Sequence, residues 1–391
     1  MKRVFVAVLD GVGAGELPDA AAYGDAGSHT LLHTAQAVGG LRVPVLQALG
    51  LGNLVPMPGV PRADLPLGSW GLMQEASPGK DSITGHWEMM GVVLDRPFPT
   101  YPQGFPEDLV RRFEQAIGRR VLGNVPASGT EIIQRLGEAH LQTGYPILYT
   151  SADSVFQLAA HERIVPTEQL YEMCRVARAM LRGEHAVGRV IARPFTGEPG
   201  NFRRTEQRKD FPLDPPQNIL DAIASAGLRT HAIGKIHEFF AGRSIASWAD
   251  TRTNPEHSEA ILEAIRTTDA AFVFANLEDF DMLYGHRNDA TGFARALEEF
   301  DGYLGRILEA LGAEDLLILT SDHGNDPTTP STDHSREHAF LLVYGRGLRS
   351  GVDLGVRTTF ADVGATVLDF LRLEPWHHGQ SFLRELDGGN E

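Results

Sequence analysis

Three apolar runs in this chain each lead into an aspartate, a residue type that can bind a metal ion. The aspartates that follow these runs are Asp10, Asp281 and Asp322. Runs of this kind are typical of strands buried on both faces of a parallel sheet. Such sheets bind ligands beyond the carboxyl ends of their strands. We therefore expect the three carboxylates to lie at one edge of one sheet.

Histidines accompany two of these aspartates. His323 follows Asp322 directly, His286 stands five residues after Asp281, and His334 is eleven residues beyond His323. A single aspartate after a strand is more often a helix cap or a turn residue. Three acids and three histidines together are typical of a catalytic pocket, and they predict a metal site.

The segment 80–91 contains hydroxyl groups that could act as a nucleophile. Gly79 and Gly85 allow tight turns beside Thr84, which precedes a stretch able to begin a helix. A helix N-terminus favours phosphate, and coordination to a divalent metal activates a hydroxyl. The alternative is that Thr84 or Ser82 only caps the helix. Given the predicted metal site, we predict Thr84 as the nucleophile.

The strands that lead to the metal-type residues lie at the two ends of the sequence, so the ends must fold together. Proline clusters near residues 97–106 and 212–216 mark the borders of an insertion. We predict a catalytic core from 1–97 and 217–391 and an inserted domain at 98–216. Helices alternate with strands after the insertion, which predicts an α/β fold with a doubly wound, mostly parallel sheet. The insertion has its own helix and strand patterns, so we expect an α/β cap domain.

The insertion also contains candidate phosphate-binding residues. Ser151 and Asp153 follow an apolar run, and Arg193 and Arg204 stand in or near glycine-rich stretches. Guanidinium groups suit bidentate recognition of phosphate, although any single arginine could equally be a solvated surface charge. We predict that these four residues bind substrate.

Composition limits the class of protein. The net charge of −16 argues against nucleic-acid binding and against a polybasic membrane contact. Cys174 is the sole cysteine of the sequence, which excludes an internal disulfide and fits a reducing compartment. The apolar run at the N-terminus is too short for a signal peptide, and no run approaches the roughly 18 residues of a membrane span. We expect a cytoplasmic enzyme.

Three sequence motifs together resemble the phosphopentomutase family of the alkaline-phosphatase-like metalloenzymes. These motifs are residues 8–13, residues 80–91, and residues 322–326 with 332–334. The likeness extends from Asp10 to residues 379–382 and includes the insertion. Residues 84–88, Thr-Gly-His-Trp-Glu, are the most specific to the mutase, since Asp-His-Gly alone occurs throughout the superfamily.

The resemblance implies two metal sites and a phosphate carrier. One metal would be held by Asp10, Asp322, His323 and Thr84, and the other by Asp281, His286 and His334. The family uses manganese, so two Mn²⁺ ions are expected, whereas the ligand types alone also suit zinc or iron. The family carries its phosphate on the threonine that aligns with Thr84, and a sugar bisphosphate is the expected activator.

The resemblance also implies the reaction, which is phosphoryl transfer between C1 and C5 of ribose or 2-deoxyribose. The substrate is a small phosphorylated sugar, the cap would bind the far phosphate, and Lys235 would assist from the core. The chain departs from the family at Ser82, where threonine is usual. Residues 336–340 also differ, and His338 there competes with His334 in a motif search; we prefer His334.

Two other enzyme classes share these motifs. A cofactor-independent phosphoglycerate mutase has two metals and a cap, but its nucleophile lies in a different local sequence. A metal-dependent phosphatase would share the ligands without needing a cap that excludes water. A protein with a purely structural metal site is a poor fit, because such sites are closed and rarely include a spare hydroxyl. The choice between ribose and deoxyribose and the oligomeric state stay open.

Overall fold

The computed structural model describes residues 2–151 and 154–387. The chain forms two compact units, one from Met1–Arg96 with Pro215–Glu391 and the other from Pro97–Asp214. The first unit is therefore built from the two ends of the chain, and the second from the continuous segment between them.

The secondary structure alternates between strands and helices along most of the chain. The strands are β1 (Arg3–Leu9), β2 (Gly13–Glu16), β3 (Ser69–Met73), β4 (Leu122–Pro126), β5 (Ile147–Thr150), β6 (Val155–His161), β7 (Arg189–Thr196), β8 (Arg203–Arg204), β9 (Lys209–Pro212), β10 (Thr230–Ile233), β11 (Ser247–Ala249), β12 (Phe272–Leu277), β13 (Asp315–Thr320), β14 (Glu337–Tyr344) and β15 (Asp353–Arg357). The α-helices are α1 (Thr30–Ala37), α2 (Pro44–Leu49), α3 (Leu51–Leu54), α4 (Ser82–Met89), α5 (Glu107–Ile117), α6 (Gly129–Thr143), α7 (Thr167–Met180), α8 (Ile219–Ser225), α9 (Ile236–Phe239), α10 (Asn254–Thr267), α11 (Ala290–Ala310), α12 (Ala361–Phe370) and α13 (Leu383–Leu386). Of the described helices, none has both the length and the apolar character that a membrane span requires.

The first unit is organised around one sheet, in the order β11-β10-β12-β1-β13-β14-β3-β15, with β2 paired to β14. The strands from β11 to β13 in this order run parallel to their neighbours. Strand β14 runs antiparallel to both β13 and β3. The predicted α/β class with a mostly parallel sheet is confirmed, and the antiparallel extension is a feature that the sequence motifs did not predict.

Strand β1 lies in the middle of this sheet. Its residue Val4 pairs with Phe272 on one side and with Leu316 on the other. Alternate side chains of β1 pack into a core that includes Phe293 and Phe300 of α11. Because β12 and β13 flank β1 in parallel, the loops that follow these three strands leave the sheet at the same edge.

The second unit has its own mixed sheet, in the order β4-β5-β6-β7-β8, with β9 paired to β7. On one face Phe113 of α5 and Met173 of α7 share a core cluster with Phe156 of β6. On the other face Ile133 of α6 packs with Phe195 of β7. Helices thus cover both faces of the sheet, which is a complete three-layer arrangement.

Candidate metal centre

The first group of potential metal ligands lies at the ends of β1 and β13. It consists of Asp10, Asp322 and His323, which are all buried and whose ligand atoms lie within 4.8 Å of one another. The Nε2 atom of His323 is 3.3 Å from Asp10 Oδ1 and 3.5 Å from Asp322 Oδ2. Ligands bound to one cation at 2.0–2.2 Å in tetrahedral geometry are about 3.4 Å apart, so these three atoms can surround one ion.

The second group follows β12 and precedes β14. Asp281 lies in a π-helical turn, Phe280–Tyr284, and its Oδ2 atom is 3.1 Å from His286 Nε2. The Nε2 atom of His334 is 3.4 Å from Asp281 Oδ1 and 3.2 Å from His286 Nε2. The rings of His334 and His323 stack with centroids 4.0 Å apart, so the two groups adjoin one another.

Hydrogen bonds orient two of the histidines as ligands. The Nδ1 atom of His323 is 3.0 Å from the carbonyl oxygen of Gly324, and that of His286 is 2.6 Å from the carbonyl oxygen of Thr332. A carbonyl can only accept, so each Nδ1 carries a proton and Nε2 is the nitrogen that faces the cluster and could bind a metal. Carboxylates with neutral imidazoles of this tautomer fit a pair of divalent transition-metal ions.

The positions of His334 and His338 differ relative to the two ligand groups. His338 lies on β14, and its Nδ1 atom is 3.1 Å from the carbonyl oxygen of Gly15. It is absent from both ligand groups found among the described residues. The geometry therefore favours His334 as the ligand, as the sequence spacing does.

Thr84 does not present its hydroxyl to either ligand group. Helix α4 begins at Ser82 with Asp81 as its N-cap, which makes Thr84 the third residue of the helix. The Thr84 hydroxyl donates to Asp81 Oδ2 at 2.6 Å, and its backbone N–H donates to Asp81 Oδ1 at 3.1 Å. The side chain is fully buried. Thr84 thus completes the cap of α4, and the geometry argues against its predicted roles as metal ligand and nucleophile.

Ser82 takes the position that was predicted for Thr84. Its Oγ atom lies 3.1 Å from His323 Nε2 and donates a hydrogen bond to Asp10 Oδ1 at 3.4 Å. Ser82 is partly exposed, so a substrate can reach it. Ser82, the first residue of α4, therefore supplies the hydroxyl group that lies beside the first ligand group.

Close packing brings α4 to the end of β13. A Cβ atom on Gly85 would lie 2.4 Å from the carbonyl oxygen of Asp322, so only glycine allows this approach. His86 then reaches Asp322, with Nδ1 at 3.2 Å from Oδ2. The amide of Asn276 donates to Asp10 Oδ2 at 2.8 Å and lies 3.3 Å from His86 Nε2. Asn276 therefore orients the Asp10 carboxylate, and the His86 ring, whose Nδ1 donates to the carbonyl oxygen of Ser82 at 2.7 Å, lies beside Asp322.

Arg336 stabilises the loop that precedes α4. One guanidinium nitrogen donates to Glu75 Oε2 at 2.6 Å and to the carbonyl oxygens of Ser77 and Gly79 at 2.9 and 2.6 Å. Burial raises the pKa of Glu75 well above its usual value, and the charge of Arg336 opposes this rise. The buried Glu88 carboxylate accepts from the backbone N–H of Ser77 at 2.6 Å. The loop that precedes α4 is therefore fixed by hydrogen bonds to both Arg336 and Glu88.

The residues predicted to bind the far phosphate lie in the second unit. Ser151 follows β5, Arg193 is on β7 and Arg204 is on β8, whereas Asp153 lies outside the described residues. The Nε atom of Arg193 donates to Gln157 Oε1 at 3.3 Å. Burial and, after it, neighbouring arginines lower the pKa of Arg193. Arginine side chains of the second unit thus lie close together around β7 and β8.

Comparisons with known proteins decide the family. A family profile described as the Metalloenzyme superfamily matches residues 2–375. A phosphopentomutase of Dictyoglomus thermophilum is 55% identical over 390 residues, which is 100% of each chain. A phosphopentomutase of Carboxydothermus hydrogenoformans is 56% identical over 387 residues, which cover 99% of this chain and 100% of the relative. This chain belongs to the phosphopentomutase family.

A solved structure extends the likeness to the fold. A crystal structure of Leishmania mexicana phosphoglycerate mutase at low cobalt concentration superposes with a TM-score of 0.50 at 13% identity, covering 98% of this chain and 97% of that one. At this identity the likeness shows the fold alone. The resemblance to the phosphopentomutase family that residues 80–91 and 322–334 suggested is confirmed by the full-length relatives, not by this structure.

Three residues of this phosphopentomutase-family centre were not predicted. Asn276 is the penultimate residue of an apolar strand, where a lone polar residue on a buried strand was an available signal. Arg336 lies in the segment that departs from the family motif, and nothing in its spacing pointed to Glu75. Glu278 follows β12 directly and repeats the strand-to-acid pattern, so the same rule that found Asp10 could have found it.

Proposed function

We propose that the chain catalyses the phosphopentomutase reaction through a phosphoserine at Ser82. The reaction interconverts ribose 1-phosphate and ribose 5-phosphate, or the 2-deoxyribose compounds, and makes the chain an isomerase acting on a small phosphosugar. The full-length relatives that are named phosphopentomutase support the reaction. The observation that carries the choice of nucleophile is the position of Ser82 Oγ between His323 and Asp10.

The residues of the centre divide into ligands and residues that orient them. Asp10, Asp322 and His323, with Ser82, would hold one divalent ion, and Asp281, His286 and His334 would hold the other. Such ions lower the pKa of an attacking hydroxyl and offset the charge of the transferring phosphoryl group. We propose manganese as the metal, and a sugar bisphosphate as the activator because it can phosphorylate a free Ser82.

The chain's own groups prepare Ser82 for this role. Asp81 caps α4 and fixes the first turn, so the Ser82 hydroxyl is held in one direction. The N-terminal end of a helix favours a phosphate on its first residue. The Asp10 carboxylate, which Asn276 holds by its second oxygen, accepts the hydrogen bond from Ser82. The geometry therefore supports attack by Ser82 more directly than attack by Thr84.

Removing the metals tests the proposed reaction. The chain treated with a chelator and desalted should show no interconversion of ribose 1-phosphate and ribose 5-phosphate, and added Mn²⁺ should restore it. Both sugar phosphates and free phosphate are measured by chromatography in the presence of a catalytic amount of sugar bisphosphate. Steady release of free phosphate without isomer would show a phosphatase instead, and unchanged turnover in the chelated protein would refute metal dependence.

We further propose that the second unit binds a phosphate of the substrate through Arg193, Arg204, Ser151 and Asp153. We also propose that Lys235 of the first unit binds substrate. The bisphosphate intermediate must turn end for end before the second transfer. A phosphate site that holds it keeps the intermediate from leaving too early. Without that site, the phosphoserine would more often meet water.

Replacing Arg193 or Arg204 should separate mutase activity from metal binding. Arg193→Ala and Arg204→Ala should each lower kcat/KM by roughly 10–100-fold, because a charge-assisted hydrogen bond contributes about 1.5–3 kcal/mol. The share of turnovers that release free phosphate should rise, while metal content stays at the wild-type level. Arg163→Ala is the matched control, since Arg163 is an exposed arginine of the same unit paired with Glu198. Wild-type kinetics in both test variants would remove these arginines from the site.

A further inference from the structure

A cavity opens at the carboxyl ends of β10, β11 and β12 in the first unit. Its volume is about 300 Å³, and its walls include Lys235, His237, Trp248, Arg252 and Glu278. Cavities of this size with a few fixed polar groups are typical of small-molecule sites.

The sheet register places this cavity next to the first ligand group. Leu9 of β1 pairs with Leu277 of β12, and the next residues along these parallel strands are Asp10 and Glu278. Neighbouring strands are about 4.8 Å apart, so Glu278 leaves the sheet one strand away from a predicted metal ligand. A molecule whose phosphate reacts at Ser82 would have its adjoining atoms within reach of the cavity.

Glu278 has an acceptor that the described residues do not satisfy. The residue is 7% exposed, and its Oε2 atom has no hydrogen-bond partner among them. Lys235 Nζ is 3.7 Å from Oε2, which is beyond hydrogen-bond distance. Burial raises the pKa of Glu278 to about 7, against the opposing charge of Lys235. A buried acceptor without a donor is unfavourable, so a donor from a ligand would relieve it.

Trp248 offers an apolar surface beside this acceptor. Its side chain is 56% exposed, and its ring lies against His237 with centroids 4.3 Å apart. An aromatic ring that lines a cavity offers a flat apolar face on which a ligand ring can pack. The cavity thus combines a flat apolar face, an open acceptor and a lysine donor, which matches a ring that carries hydroxyl groups.

We propose that this cavity binds the pentose ring of the substrate, with Glu278 Oε2 accepting a hydrogen bond from a ring hydroxyl. Lys235 donates to a second oxygen of the same sugar phosphate, and Trp248 contacts the carbon face of the ring. This inference rests on the proposed function, because the phosphate that reacts at Ser82 brings the ring to the cavity.

The test compares variants of Glu278 in the metal-loaded protein. Glu278→Met removes both carboxylate oxygens at similar side-chain length, and Glu278→Gln keeps one carbonyl acceptor. Glu278→Met should raise both the Kd and the KM for ribose 5-phosphate by at least ~10-fold, as expected when a charged hydrogen bond to substrate is lost. Glu278→Gln should show a smaller increase. Glu263→Gln is the control, because Glu263 is an exposed glutamate of α10 that does not line the cavity.

Binding of ribose 5-phosphate can be measured independently of turnover by the fluorescence of Trp248. Ribose 5-phosphate should change the emission of the wild-type protein. Trp248→Phe should remove most of that change, since Trp70 and Trp87 are buried and Trp376, which donates to the carbonyl oxygen of Gly91, does not line the cavity. Inorganic phosphate has no ring hydroxyl, so its affinity should be the same in wild type and Glu278→Met. A Kd and KM for ribose 5-phosphate within about twofold of wild type in both Glu278 variants would overturn the proposal. If the wild-type enzyme interconverts the two sugar phosphates, unchanged Glu278 variants would leave the proposed function intact. If the wild-type enzyme shows no mutase activity, the proposed function itself is refuted.

Discussion

Replacing Ser82 with alanine should abolish mutase turnover, whereas replacing Thr84 with valine should leave most of it. Loss of a nucleophile lowers kcat by more than ~10⁴-fold in enzymes where no other group takes over. Thr84→Val removes one hydrogen bond to Asp81, which still accepts from the backbone N–H of Thr84. The expected effect of this second change is a loss of about 1–2 kcal/mol in the free energy of unfolding.

The test combines steady-state kinetics with mass spectrometry of the phosphorylated peptide. After incubation with a sugar bisphosphate, the wild-type peptide that contains residues 80–91 should carry one phosphate on Ser82. Ser82→Thr should retain turnover, because it keeps a hydroxyl at the same helical position. Phosphate found on Thr84, or label that survives in Ser82→Ala and disappears in Thr84→Val, would return the nucleophile to Thr84.

Replacing His334 with alanine should lower the number of bound divalent ions from two to one per chain. Its Nε2 atom is one of three that converge in the second group, and two remaining ligands would hold an ion weakly. We expect at least ~100-fold weaker binding of that ion, beyond the 10–100-fold typical of changes to residues that only orient a ligand. Turnover at low metal concentration should fall in parallel.

The control for this change is His338→Ala. His338 contacts the backbone of Gly15 instead of either ligand group, so this variant should keep two ions. Metal content is measured by elemental analysis after gel filtration, and the affinity by calorimetric titration. Two tightly bound ions in His334→Ala, or one in His338→Ala, would contradict the assignment.

The strand pattern predicts that the aspartates come together at one edge of the sheet, and the structure places them there. An apolar run followed by an aspartate gave Asp10, Asp281 and Asp322, and the structure gathers these residues with their histidines into two adjoining groups. The rule succeeds because parallel strands must send their following loops to one edge, whatever the details of packing.

The choice of hydroxyl could not be made from spacing. Ser82 and Thr84 lie in the same helical turn, and which of them faces the ligands depends on where the helix begins. That point is set by the Asp81 cap and by the close approach of Gly85 to the Asp322 carbonyl, which are contacts between distant parts of the chain. The antiparallel strand β14 was also not predicted. Residues 337–344 directly follow the motif that contains His334, and that motif was interpreted through its single residues and not through strand periodicity.

The central position of β1 has a consequence for biosynthesis. This strand is synthesised before its partners β12 and β13, which follow it by roughly 270 and 310 residues; at about 5–20 residues per second this is a delay of tens of seconds. The continuous segment Pro97–Asp214 has its own sheet and core and can fold during that delay. Until β12 and β13 are synthesised, the apolar strand β1 has no native partner in the sheet, so we expect it to need protection from aggregation by a chaperone.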